Sequence, residues 1–342
     1  MRILSALAAA LLLAAPQSPG MAAPASPAPA ASAVALPAAP PARLVRLVGE
    51  YGPPGEQLVV YESAGALHAH GRGLERARLV PSGRGRYTVD GVALRFEGGR
   101  LARAVAVDGL RLARRDLGDE VQARIRAAVK ADPTRLRAAA LAATPPIEPA
   151  PARPHDLVDL STVDPGIRFD IRYAGTNNFM GVVLYERAGA YLQRPAAEAV
   201  GRVQRSLARQ GYGLLVHDGY RPWFVTWMFW KATPDEYHHF VADPSKGSRH
   251  NRGSAVDLTL YDLKTGKVVE MPGRYDELSP RSKPDFIGGT SRQRWLRDLL
   301  RREMEAEGFT VYEEEWWHFD HKDWRQYGIG TQTFTQLAAA GR

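Results

Sequence analysis

The 342 residues contain no cysteine. That excludes disulfides, thiolate metal ligands and a lipid-modified N-terminal cysteine, and leaves His, Asp and Glu as the side chains available to any metal. A membrane-spanning run is also missing near the N-terminus, where Met1-Arg2 precedes an apolar stretch only from Ile3 to Ala15. That stretch is too short for a bilayer and, with small residues from Gly20 to Ala23, reads as a secretory signal peptide over residues 1–23. The expected destination is the periplasm or the exterior, with no transmembrane segment. There is no lysine tract either: the net charge of +8 and pI near 9.7 are spread over many arginines. This suggests affinity for anionic surroundings, cell-wall polymers or lipid headgroups, rather than a nucleic-acid site, and reads equally as a solubilising charge excess.

What is present divides the chain. A nearly uncharged Pro/Ala tract, residues 24–43, cannot bury a core and reads as a disordered spacer. From 44 to 116, short apolar runs alternate with Gly-centred turns, predicting a small, mainly-β, barrel-like module. His68 and His70 fall on one face of a strand there and read as an exposed pair. A helical segment covers 117–143: Val121, Ile125 and Val129 share a face between Asp119 and Val129, and a second helix is expected from Thr134 to Ala143. Pro145, Pro146, Pro149, Pro151 and Pro154 mark a linker over 144–156. In the remaining segment, 157–342, helices are predicted from Pro195 to Gln210 and from Arg292 to Glu307, each stopped by glycine. Strands alternate with them irregularly, which favours an α+β fold, an antiparallel sheet with flanking helices, over a doubly wound sheet. The aromatic run Trp223 to Trp230 reads mostly as core, with part lining a cleft.

Chemistry concentrates in two places. The run Ser248-Arg-His-Asn-Arg-Gly-Ser-Ala-Val-Asp257 and the later Glu315-Trp-Trp-His318 supply His250, Asp257 and His318, the ligand types of a three-ligand zinc site, with Glu315 as a spare carboxylate. Gly253 permits a turn before a strand from Ala255 to Leu260. Alternation puts Asp257 and Thr259 on one face and Val256, Leu258 and Leu260 on the other. Glu315 and His318, three apart, would lie on opposite faces of a regular strand, so a bulge or strand end is required near Trp316. Taken singly, each His or Asp reads as a surface or hydrogen-bonded structural residue rather than a ligand, Glu315 as a member of a solvated acidic run, and Arg221 as a surface ion-pair partner.

Several ordered segments, "DIRYAGTNNFMG", "GYGLLVHDGYRP", "SRHNRGSAVDLTL", "DELSPRS" and "EEEWWHF", resemble the D-alanyl-D-alanine dipeptidases of the VanX type from about Leu157 to Tyr327. The resemblance implies one Zn²⁺ per chain on His250, Asp257 and His318, with Glu315 as general base and Arg221 stabilising the oxyanion. It also implies that Asp276 faces the free amine of the dipeptide, with Ser248 beside it and Tyr173 near the substrate. The implied activity is hydrolysis of D-Ala-D-Ala to two D-alanines. Two alternatives stay open: a DD- or LD-carboxypeptidase or endopeptidase acting on peptidoglycan stems through the same zinc, and a wall-binding protein whose zinc is structural. The Gly-, Pro- and charge-rich stretch 270–293 is the loop expected to roof the site and set substrate size.

Overall fold

The structure, a computed structural model, describes residues 35–340. The proposed signal peptide and most of the Pro/Ala spacer lie outside the described residues. A short helix, α1 (Ala42–Val45), leads into nine strands: β1 (Gly49–Tyr51), β2 (Leu58–Ser63), β3 (Ala66–Gly71), β4 (Leu74–Arg78), β5 (Val80–Gly83), β6 (Arg86–Val89), β7 (Val92–Glu97), β8 (Ala104–Val107) and β9 (Leu110–Arg115). Asp90-Gly91 and Asp108-Gly109 each place two successive residues at positive φ, the geometry that joins twisted antiparallel strands through two-residue turns. The strands form one antiparallel sheet in the order β4-β3-β2-β1-β9-β8-β7-β6-β5. Its edge strands β4 and β5 are consecutive in the chain, separated only by buried Leu79, so the sheet curls into a nearly closed barrel. Leu58, Val60, Leu67, Leu94 and Val105 fill its interior. His68 and His70 face outward and are half-buried, His68 stacking on Tyr61 and His70 lying 3.4 Å from Glu75.

Two helices follow, α2 (Leu117–Ala131), capped by the Asp116 side chain, and α3 (Pro133–Ala142), capped by Asp132 with proline in its first turn. The rest comprises β10 (Leu157–Asp159), β11 (Arg168–Phe169), β12 (Tyr191–Gln193), α4 (Arg194–Arg209), β13 (Tyr212–Asp218), α5 (Trp223–Ala232), β14 (Ala255–Asp262), α6 (Ser291–Ala306), β15 (Phe309–Tyr312), β16 (Glu315–His321) and α7 (Phe334–Ala340). Strands β10 and β12 pair alone, and the principal sheet runs β11-β13-β14-β16-β15. It is mixed rather than wholly antiparallel, because β11 pairs parallel with β13. The long crossover between them, which includes α4, makes the parallel register reachable.

Helix α4 buries Ala196, Ala199, Val200, Val203 and Leu207 along one side and is closed by Gly211 at φ 87°. Helix α6 begins at a reciprocal Thr290–Gln293 capping box. Both pack on the sheet and on each other. Strand β14, between β13 and β16, is buried along nearly its whole length, so its alternation separates core from cleft rather than core from water. Helices α2 and α3 pack on α5, and Val121, Ile125, Val129 and Ala140 join the same core as the principal sheet. The prolines of 144–156 do not make a free spacer. Glu148 pairs with Arg252 and accepts from the Ile329 amide, the Arg153 amide donates to Gln326, and Asp156 pairs with Arg194 at 2.7 Å, so this irregular strap lies on the sheet domain.

Candidate metal centre and cleft

His250 enters the site from a single turn of 3-10 helix, His250–Arg252, ended by Gly253 at φ 64°, a left-handed position that suits glycine. Asp257 and His318 stand directly opposite each other on β14 and β16. All three side chains are buried. The atoms His250 Nε2 and His318 Nδ1 are 3.0 Å apart, and each lies 3.2 and 3.1 Å, respectively, from Asp257 Oδ1. Ligand atoms bound at ordinary zinc distances in a tetrahedral shell are separated by about 3.3 Å, so the triangle has the right size. Its electronic state also fits. His250 Nδ1 is 2.6 Å from the Gly219 carbonyl and His318 Nε2 is 2.9 Å from Asp320 Oδ1, which assigns the ring protons to those nitrogens and turns both lone pairs toward Asp257. Asp257 Oδ1 has no hydrogen-bond partner. Three acceptors converging on one buried point without a donor between them are the environment a divalent cation satisfies.

The carboxylates favour positive charge in the pocket, whether a proton on the His318 ring or a cation that would displace it. Burial alone would depress His318, yet the Asp320 and Asp257 carboxylates override it and raise the imidazole to about 10. Asp257, despite burial, is held well below the usual carboxylate range by His250 and His318. Glu315 Oε2 lies 3.6 Å from His318 Nδ1, and among the described residues no hydrogen bond engages its carboxyl. Burial pushes that group up to about 8. The irregular backbone expected here is present: Val311 pairs with Phe319 but Tyr312 with Glu315, so one step along β15 spans four along β16. The three extra residues, Trp316 to His318, bring Glu315 and His318 to the same side.

Arg221 is 7% exposed and leaves the end of β13. It grips buried Asp218 through Nε at 2.9 Å and Nη2 at 2.8 Å, stacks over Phe229 and Tyr173, and brings Nη2 within 3.6 Å of Asp257 Oδ2. Asp218 also accepts from the Tyr185 hydroxyl at 2.7 Å, so the guanidinium is fixed rather than mobile. Its main-chain N–H donates to the His250 carbonyl, tying the two loops together.

Tyr173 and Asp276 meet in the same cleft, the tyrosine hydroxyl donating to Asp276 Oδ1 at 2.8 Å. Asp276 Oδ2 is buried without a partner, and burial pushes the carboxyl up to about 7. The Tyr275 hydroxyl lies 3.1 Å from both Asp257 Oδ2 and the Tyr173 hydroxyl, linking the metal-type triangle to Asp276 through two phenols. Ser248 also lines the cleft, but its Oγ accepts from the His250 amide at 3.1 Å, so its first task is to shape the loop that presents His250. Asn251 completes that loop, donating to the Arg221 carbonyl and to Thr226.

Comparison with known proteins decides the family. The family described as D-ala-D-ala dipeptidase, peptidase M15, matches residues 153–337, and every segment of the site lies inside that span. The chain belongs to this family. A D-alanyl-D-alanine dipeptidase of Escherichia coli (strain K12) is 31% identical over 189 residues, 54% of this chain and 95% of that protein. One from Enterococcus faecium is 38% identical over 176 residues, covering 46% of this chain and 87% of the relative, and one from Enterococcus faecalis is 36% identical, covering 45% and 85%. The dipeptidase match leaves the barrel, α2 and α3 outside it.

Within the dipeptidase domain, the structure gathers His250, Asp257, His318, Glu315, Arg221, Asp276, Tyr173 and Ser248 around one cleft. Sequence reasoning missed Asp320, Asp218 and Tyr275. For Asp320 a signal existed: it stands two residues after His318 in a strand, hence on the same face. Asp218, three residues before Arg221 across a turn, carries no such local mark.

Proposed function

We propose that the protein is an exported zinc peptidase that hydrolyses D-alanyl-D-alanine. The observation that carries this reading is the buried His250–Asp257–His318 triangle, 3.0 to 3.2 Å on each side, with an unbonded carboxylate beside it. A zinc ion held there supplies activation of a water for attack and polarisation of the scissile carbonyl. Glu315, 3.6 Å from a ligand nitrogen and committed to no other partner, takes the water proton and returns it to the departing amine. Arg221, rigidly held by Asp218, faces the charge that develops on the carbonyl oxygen. Asp276 accepts the substrate ammonium through Oδ2 while Tyr173 occupies Oδ1, which favours free dipeptides over blocked ones. Family membership and the names of the relatives support the same substrate class.

The test compares free D-Ala-D-Ala with its N-acetyl form and measures zinc in Glu315→Gln. The expected result is a strong preference for the free dipeptide, about one zinc per chain in the variant, and a rate loss of roughly 10²–10⁴. Equal cleavage of the acetylated substrate overturns the dipeptidase reading in favour of stem-peptide cleavage, and loss of zinc overturns the role given to Glu315. Export rests on the N-terminal residues 1–23, outside the described residues. Sequencing the N-terminus of protein recovered from the periplasm or medium checks it, and an intact Met1 there refutes cleavage.

A further inference from the structure

The stretch 270–293, which carries Asp276, is fastened from elements that the family match does not cover. Asp276 sits at φ 58°, a left-handed conformation that strains a residue with a Cβ and needs support from its surroundings. Support comes from α2, where Gln122 Nε2 donates to the Asp276 main-chain carbonyl at 2.7 Å. The next residue, Glu277, is buried and accepts from the Arg274 amide and the Ser279 hydroxyl. Its carboxylate meets Arg281, which also pairs with Glu50 of β1 and reaches Asp116, the cap of α2, at 3.4 Å. Arg274 spans to Asp116 and Asp119 at 3.1 and 2.7 Å. Gly118 lies so close that a Cβ there would be 2.5 Å from Glu277 Cγ and 3.0 Å from its Oε1. The far end of the stretch is pinned by β2: the Glu62 amide donates to the Gly289 carbonyl at 3.0 Å, and its carboxylate accepts from the Ser291 amide at 2.9 Å.

We infer that the barrel and α2 are a positioning device for the substrate-anchoring loop, with Gln122 and Gly118 as the residues that set the backbone of Asp276 and so aim its unpartnered Oδ2. The inference rests on Asp276 receiving the substrate ammonium. An appended module would thereby govern selectivity for a free amino terminus without contributing a group to the cleft. A contact that only stabilised the interface would change thermal stability and leave the kinetic constants alone.

The experiment uses full-length, zinc-loaded protein with Gln122→Met and Gly118→Ala, each alone and combined with Asp276→Asn. Alanine at 118 improves the helix itself, so any defect is traceable to the displaced Glu277. Each single variant is expected to raise KM for free D-Ala-D-Ala by about threefold to tenfold, the worth of one hydrogen bond, with kcat within about twofold and zinc content unchanged. In the Asp276→Asn background neither should raise KM further. Unchanged KM in both single variants overturns the inference, as do equal increases with and without the Asp276 carboxylate. If either fails to accumulate, Arg274→Gln, which alters a half-exposed side chain, carries the same expectation. Asp276→Asn alone separates the two levels: an unaltered KM there removes the ammonium reading itself, whereas a raised KM with silent Gln122 and Gly118 variants removes only the positioning role.

Discussion

Asp257 and His318 face each other as a direct cross-strand pair, and their side-chain atoms Oδ1 and Nδ1 come within 3.1 Å. Opposite residues of an antiparallel pair project to the same face at close range, so two of the three metal-type ligands are set by strand register alone. The third, His250, depends on a loop. That loop is anchored by Asn251, by the Ser248 hydroxyl and by the Gly219 carbonyl, so hydrogen bonds hold the loop corner of the triangle where strand register holds the other two.

Asp320 shares the strand face of His318 and accepts from its Nε2. Asp320→Asn weakens the charge that fixes the ring tautomer and orientation. Zinc affinity is expected to fall roughly 10- to 100-fold, read by competition with a chromogenic chelator, while kcat of the fully zinc-loaded variant changes much less. Unchanged affinity would show that Asp320 is only a surface partner of Arg249, which approaches it at 3.4 Å.

Asp276 should impose an acid limb on substrate binding. Burial holds its carboxyl near 7, so below that pH it protonates and can no longer pair with an ammonium. Below about pH 7, kcat/KM for the free dipeptide is expected to fall by about tenfold per pH unit more steeply than for the N-acetylated form, because protonation of the Glu315 base, pushed up to about 8, slows both. Asp276→Asn should start low and lack this extra fall. An N-acetylated substrate should not report it in either protein, and an identical limb with both substrates would assign the titration elsewhere.

His217 is 2% exposed, with Nδ1 3.2 Å from the Asp170 carbonyl, its ring against Tyr275, and Arg172 close by. Burial, aided by the Arg172 charge, pushes its pKa down to about 4 from an ordinary 6.5. The unfolded chain therefore takes up the proton first. Its contribution to stability is complete above pH 6.5 and is lost as pH falls through 4, roughly 3 kcal/mol in all. Urea unfolding at stepped pH should show this decline, and His217→Gln should flatten it. An unchanged pH slope in the variant would place the acid sensitivity in other groups.

The order of residues alone carried the local chemistry and its boundaries. Short motifs carry His250, Asp257, Glu315 and His318, and the three-residue spacing of Glu315 and His318 demanded the backbone irregularity that β16 contains. Helix ends were legible where caps are local, as at Gly211 and at Gly308, since left-handed termination favours glycine whatever the fold. The Gly-centred turns between short apolar runs pointed to the barrel for the same reason. Other features became visible only once the chain was folded. The parallel pairing of β11 depends on where a crossover lands, and the Pro-rich strap was bound by Glu148 and Asp156 to arginines far along the chain. Gln122 meets the Asp276 carbonyl across 154 positions, and Tyr275 completes a phenol bridge between the metal-type triangle and the anchoring carboxylate. Motifs and caps obey short-range sterics and hydrogen bonding, which a dozen residues express in full. Partners brought together by packing answer to the burial of a shared core, and that burial exists only in three dimensions.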